Sequence, residues 1–121
     1  MLNFYGRKYP RKIKNDQLKS LNDFEFFLDK NKIKRFNAKI KKFKSFNLEI
    51  GFGGGENLFA QSQKNNSDFF LGCDPYLSGS LNLEKLIKEY GLKNLFFTNL
   101  DFLELFKFLK GFIFKKIIIL F

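Results

Sequence analysis

Between residues 49 and 101 the sequence sets a glycine-rich run among carboxylates. Gly51, Gly53 and Gly55 lie within LEIGFGGGE (48–56), with Glu49 and Glu56 on either side and Asp74 and Asp101 further on. Glycines let a backbone turn tightly and approach a ligand closely. A helix beginning just after them offers free N–H groups to an anion. The dinucleotide fingerprint G-x-G-x-x-G would put its third glycine at position 56, where this chain has an acid, so the match is G-x-G-x-G. A carboxylate at that helix start repels a pyrophosphate. The acids favour a different ligand. Asp74 can accept hydrogen bonds from both hydroxyls of a ribose, Asp101 can bind an adenine amino group, and Glu49 and Glu56 add negative charge. A cationic ligand with a ribose and no phosphate suits this set, and S-adenosylmethionine, with its sulfonium and ammonium groups, is such a ligand.

Each residue also has a plainer reading. The glycines can serve a tight strand-to-helix turn and nothing more. Glu56 can be a helix N-terminal acid, Asp101 a helix cap, Asp74 before Pro75 a turn residue, and Glu104 a solvated side chain. Cys73 reads as a small buried residue rather than a nucleophile. The chain has no histidine, which excludes a Ser-His-Asp triad, a Cys-His dyad and a histidine metal site. Its single cysteine excludes an internal disulfide framework and a cysteine-based zinc site, and fits a reducing compartment.

The elements that must position these acids are legible from residue 46 onward. Phe46–Ile50, Phe69–Cys73, Leu95–Thr98 and Lys116–Leu120 read as strands; Glu56–Lys64, Leu81–Tyr90 and Asp101–Leu109 read as helices, the second with a Glu84–Lys88 pair and a Gly91 stop. Strands alternating with helices predict a parallel α/β sheet with right-handed crossovers. In such sheets ligands bind beyond the carboxyl ends of the strands, where the glycine run and the acids fall. The fourth strand is an apolar run suited to a buried parallel strand. Without a neighbour beyond it, it would leave an apolar edge, so the 121 residues are expected to be the first half of a larger fold. Upstream, Leu18, Leu21, Phe24 and Leu28 predict one helix over 16–30. Residues 31–45 read as a lysine-rich connector with apolar anchors at Ile33, Phe36, Ile40 and Phe43.

Charge divides the chain in two. Residues 1–45 carry 14 Lys and Arg against 4 Asp and Glu, whereas residues 46–121 carry 8 of each, so the whole net charge of +10 lies in the first part. The 19 Phe and the many Lys can follow from AT-rich codons, but codon bias would spread lysine evenly. The asymmetry predicts a basic arm, helix and connector (1–45) for a polyanion, joined to a neutral domain (46–121). Nucleic acid fits better than a membrane surface, because the basic stretch lacks a sustained apolar helical face. The arm contributes Arg7, Lys8, Arg11, Lys12 and Lys14, with Phe4 or Tyr5 able to stack on a base or to anchor the arm by packing. No signal-type segment is visible, and the apolar stretch 102–121 is broken by Glu104, Lys107, Lys110, Lys115 and Lys116. The expectation is a cytoplasmic protein with no membrane partner and no metal.

LEIGFGGGE (48–56), FFLGCDPYLSG (69–79), YGLKNL (90–95) and IIILF (117–121), with FYGRKYPRKIKNDQ (4–17) ahead of them, resemble the bacterial tRNA (guanine-N7)-methyltransferases. The resemblance covers nearly the whole chain in order. It implies a Rossmann-like class I methyltransferase sheet, here incomplete, whose cofactor is S-adenosylmethionine and whose partner is tRNA. It implies methyl transfer to N7 of a guanine in the variable loop. Position by position it implies cofactor contacts from Glu49, Gly51, Gly53, Asp74 and Asp101, position 74 being more often Glu in the family. It also implies that a catalytic Asp lies in a Pro-Asp-Pro-Trp motif beyond Phe121, so that no catalytic residue falls in this chain and the chain alone is inactive. Three other readings stand beside it: a class I methyltransferase with another substrate, a non-catalytic fragment that binds nucleic acid or cofactor, and a nicotinamide-dependent oxidoreductase.

Overall fold

The computed structural model describes residues 13–36 and 45–109, and the backbone of 116–119. Its elements in chain order are α1 (Asn15–Asp23), α2 (Lys30–Lys34), β1 (Phe46–Ile50), α3 (Glu56–Lys64), β2 (Phe69–Cys73), α4 (Leu77–Tyr90), β3 (Leu95–Thr98), α5 (Phe102–Phe108) and β4 (Lys116–Ile119). The four strands form one parallel sheet in the order β3-β2-β1-β4. The chain runs outward from β1 to β3 and then returns to the other side of β1. Strand order therefore reverses between β1 and β4, and the carboxyl ends of the strands at such a reversal are where open α/β sheets bind ligands.

The three strands 46–50, 69–73 and 95–98 fall where their apolar runs place them. The core is aromatic. Phe26, Phe36, Phe69, Phe96 and Phe97 are all buried, and the Phe26–Phe96, Phe36–Phe96 and Phe69–Phe96 ring centroids lie 4.8, 5.1 and 5.5 Å apart. Such pairs contribute beyond the area they bury. Asn94 joins β3 to the end of α3: its amide donates to the carbonyls of Ser62, Asn65 and Asp68 at 3.0 to 3.2 Å. Those carbonyls belong to the last turn of α3 and the turn after it, where a helix has acceptors to satisfy.

Two boundaries differ from the sequence expectation. The helix expected over 16–30 ends at Asp23, and a second begins at Lys30. Between them, Phe26 to Leu28 lies along the free edge of β3: Phe97 N–H donates to the Phe26 carbonyl at 3.0 Å and Leu28 N–H to the Phe97 carbonyl at 2.8 Å. An extended segment here caps an edge strand and buries Phe26, Phe27 and Leu28 together, which a helix would point in different directions. Lys32 holds the bend, donating from Nζ to the carbonyls of Asn22, Phe24 and Phe27. The second boundary is α4, which starts at Leu77 instead of Leu81. Gly79 and Ser80 are weak helix formers, but both are buried and Gly79 lies against the Gly53 carbonyl, and packing overrides propensity. Ile33 and Phe36 of the connector are buried; Ile40 and Phe43 lie outside the described residues. Among the described residues no helix is long and apolar enough to cross a membrane.

Candidate functional site

The loop from β1 to α3 runs over the carboxyl end of the sheet. Gly51, Gly53 and Gly55 all adopt left-handed backbone, with φ of 77°, 63° and 88°. Side chains rarely tolerate that conformation, so the alternating glycines are required by the turn itself. Gly55 is also the residue that caps α3. The loop is fastened from three sides. Gly51 N–H donates to the Cys73 carbonyl at 2.7 Å, Gly55 N–H to the Phe52 carbonyl at 2.9 Å, and Gly53 N–H to Asp74 Oδ2 at 2.9 Å. Three loop amides are thus engaged within the protein, which leaves them unsuited to cradling a phosphate.

Asp74 follows β2 directly and is buried at 2% exposure. Besides Gly53, it accepts from Tyr76 N–H through Oδ1 at 3.0 Å, an Asx-type contact that sets the start of α4. The turn reading of Asp74 is therefore realised, and the same carboxylate also ties the glycine loop to β2. Glu49 lies one residue before the end of β1, in register with Gly72 of β2 and Ile118 of β4, and is likewise 2% exposed. Its Oε1 accepts from Asn57 Nδ2 at 2.8 Å, while its Oε2 is buried with no hydrogen-bond partner among the described residues. Burial pushes the Glu49 carboxyl above its ordinary value, and the Asn57 hydrogen bond opposes this in part.

Asp101 follows β3 and is exposed. It is the N-cap of α5, accepting from Glu104 N–H at 2.8 Å, so its cap reading is realised. Its charge and that of Asp74 both reach Cys73, which puts the two acids at the same end of the sheet. Burial, the largest influence, together with those charges raises the Cys73 thiol to about 11, so it stays a thiol at neutral pH. Glu56 is exposed in the first turn of α3. Glu104, expected to be merely solvated, pairs with Lys30 at 3.0 Å.

The structure ties Gly51 and Gly53 to Cys73 and Asp74 at the end of β2 through these bonds; Glu49 is bonded instead to Asn57 of α3, and Asp101 lies at the same end of the sheet as Asp74. Of the arm residues, only Lys14 is described: it is exposed ahead of α1, and its backbone N–H donates to the Gln17 side chain at 2.9 Å. Arg7, Lys8, Arg11 and Lys12 lie outside the described residues, as do Phe4, Tyr5 and the connector's Lys39, Lys41, Lys42 and Lys44.

Three participants escaped the sequence reading. Asn57 holds Glu49. Asn82 of α4 donates to the Gly54 carbonyl at 2.6 Å. Gly79 brings α4 against the loop so closely that a Cβ there would overlap the Gly53 carbonyl oxygen. The available signal was a glycine inside an otherwise helical stretch, which in a helix interior calls for a packing reason.

An S-adenosylmethionine molecule is compatible with this donor and acceptor set. An ionised carboxylate such as Asp74 is acceptor-only, the polarity that ribose hydroxyls require. Glu49 Oε2 is left as an unpaired acceptor among the described residues.

Comparison with known proteins gives the following. The family model described as "Putative methyltransferase" matches residues 44–121. A tRNA (guanine-N(7)-)-methyltransferase of Agrobacterium fabrum is 29% identical over 100 residues, covering 76% of this chain and 42% of that protein. A bifunctional methyltransferase of Rickettsia prowazekii is 36% identical over 102 residues, covering 79% of this chain and 19% of that protein. The chain thus spans less than half the length of these relatives. Among solved structures, one described as an antibiotic related methyltransferase aligns with a TM-score of 0.64 and 26% identity, over 78% of this chain and 47% of its own.

Proposed function

We propose, for a chain that belongs to this methyltransferase family, that it forms the cofactor-binding half of a tRNA (guanine-N7)-methyltransferase. The observation that carries the reading is the glycine loop at the strand-order reversal, with Asp74 bonded to Gly53 and Glu49 buried in the strand that leads into the loop. The substrate class is supported by the Agrobacterium relative, whose name specifies it.

When bound, S-adenosylmethionine supplies an electrophilic methyl group on a positively charged sulfur. The chain's residues bind and orient. Asp74 takes the ribose hydroxyls, Asp101 the adenine amino group, and Glu49 the cationic end. Gly51 and Gly53 let the backbone lie close to the ligand without a side chain intervening. Guanine N7 bears a lone pair and no proton, so no base is needed to prepare it, and the lack of histidine is no obstacle. What the reaction demands is alignment and tolerance of the positive charge that forms on the purine.

Arg7, Lys8, Arg11, Lys12 and Lys14 contact tRNA phosphates in this reading. Affinity for tRNA is then expected to fall steeply with added salt, and to lose much of that salt dependence when residues 1–14 are deleted. Undiminished tRNA affinity in the deletion variant removes the arm from the mechanism. The methylation itself is tested on the product of the complete reading frame, incubated with tRNA and methyl-labelled S-adenosylmethionine. Digestion to nucleosides should give label in 7-methylguanosine. Label in another nucleoside, or in protein, would mean a different class I methyltransferase.

A further inference from the structure

We infer that Asn57 is the positioning residue of an ammonium-binding subsite, holding the Glu49 side chain by one oxygen so that the other accepts the amino group of an amino-acid-bearing nucleoside. The inference rests on the S-adenosylmethionine reading and specifies what orients the amino-acid end of that ligand.

The Glu49 carboxylate is unevenly bonded. A carboxylate buried in a sheet needs partners for both oxygens. Glu49 has one: Asn57 Nδ2 at 2.8 Å on Oε1. Oε2 is equally removed from solvent and has none among the described residues. The strand neighbours supply nothing, since Gly72 has no side chain and the residue in register on β4 is Ile118. Of the titratable groups nearby, Glu56 is exposed on the first turn of α3, Asp74 is bonded to the Gly53 and Tyr76 amides, and Cys73 remains a neutral thiol. No cationic side chain of the described residues bonds or pairs with Glu49. An ammonium carries three donors and a charge of the required sign. It resolves both the missing hydrogen bond and the buried negative charge, which a neutral hydroxyl would not.

Asn57 is suited to the positioning role. It is the second residue of α3, so the helix start that follows the glycine loop also fixes its amide. It is exposed and Glu49 is buried, so the bond reaches inward from the helix to the strand. The bond favours the ionised carboxylate, the form that an ammonium requires.

The test is titration calorimetry on the 121-residue chain with two ligands. S-adenosylhomocysteine has the amino-acid end; 5′-methylthioadenosine keeps adenine, ribose and thioether but lacks it. Asn57→Ala is expected to weaken S-adenosylhomocysteine about tenfold and to leave 5′-methylthioadenosine within about twofold. Affinity for S-adenosylhomocysteine should rise with pH as Glu49 ionises. In Asn57→Ala that rise should move to higher pH, because the bond that favoured the ionised form is gone. Asn57→Asp, which sets a second carboxylate against Glu49, should lose more than Asn57→Ala. Equal loss for both ligands, or an unmoved pH profile, overturns the positioning role and leaves Asn57 a merely structural residue. Unchanged S-adenosylhomocysteine affinity overturns it as well. A wild-type chain that binds neither ligand overturns the cofactor reading and this inference with it; a wild-type chain that binds both confines any failure to the inference.

Discussion

Replacing Asp74 by alanine is expected to abolish S-adenosylmethionine binding, with affinity falling by more than about a hundredfold. In the proposed complex this carboxylate accepts from two ribose hydroxyls. Each hydrogen bond to a charged group is worth about 1.5–3 kcal/mol, and about 1.4 kcal/mol is a factor of ten, so the loss of two exceeds two orders of magnitude. A second effect adds to it. Asp74 Oδ2 and Oδ1 hold the amides of Gly53 and Tyr76 at 2.9 and 3.0 Å. Without them the loop keeps only its Gly51–Cys73 tie to β2, and α4 loses the contact at its start. The variant is therefore also expected to be less stable, by about 1–3 kcal/mol for each amide left unsatisfied. Asp74→Asn separates the two effects, because it keeps one carbonyl acceptor and most of the shape while removing the charge. It should retain more stability than Asp74→Ala and still bind poorly. Calorimetric titration beside urea unfolding reads both quantities, and normal affinity in Asp74→Ala would sink the ribose assignment.

The second large effect is expected at Gly79. At an ordinary position inside a helix, glycine to alanine stabilises by up to about 1 kcal/mol. Gly79 lies in the first turn of α4, and a Cβ there would overlap the Gly53 carbonyl oxygen and come within 3.2 Å of the Phe52 ring. The neighbours have little room to yield. Asn82 ties the same helix to the Gly54 carbonyl, and Phe52 is buried at 3% exposure. Gly79→Ala should therefore destabilise by about 1–3 kcal/mol, the usual cost of overpacking. It should also displace the loop and weaken cofactor binding at least about tenfold, since a small misplacement of a binding loop is costly. The sign of the stability change is the diagnostic: a stabilised variant would mean that α4 does not press on the loop.

How much of this was legible in the sequence follows from the kind of signal each residue carries. The strands stand out because apolar runs such as FFLGC (69–73) end abruptly at polar or turn residues. The glycine loop was legible because only glycine adopts the required φ readily, and three alternate glycines between a strand and a helix have few other uses. Asp74 was legible from its place at a strand end. The helix over 16–30 was misjudged because periodicity cannot see that Phe26 to Leu28 has a sheet edge to pair with; long-range hydrogen bonding decided that segment. The start of α4 differs from expectation for a related reason: Gly79 reads as a helix breaker until the glycine loop is packed on it. Asn57 was invisible because an asparagine in a first helical turn is ordinary, and only the fold shows that it reaches a carboxylate eight residues earlier. Asp101 was legible as an acid at a strand end, and its cap function was foreseen; its adenine contact remains a proposal of the function and not a feature of the fold.

In the proposed function, the acids around the glycine loop select S-adenosylmethionine over a pyrophosphate-bearing cofactor. The most direct measurement is a pair of equilibrium titrations of the 121-residue chain, one with S-adenosylmethionine and one with NAD. Saturable one-to-one binding of S-adenosylmethionine and no detectable binding of NAD are expected, because Glu56 stands at the helix start and the Gly51, Gly53 and Gly55 amides are already bonded within the protein. Binding of NAD in preference to S-adenosylmethionine, or of neither, would contradict that selection.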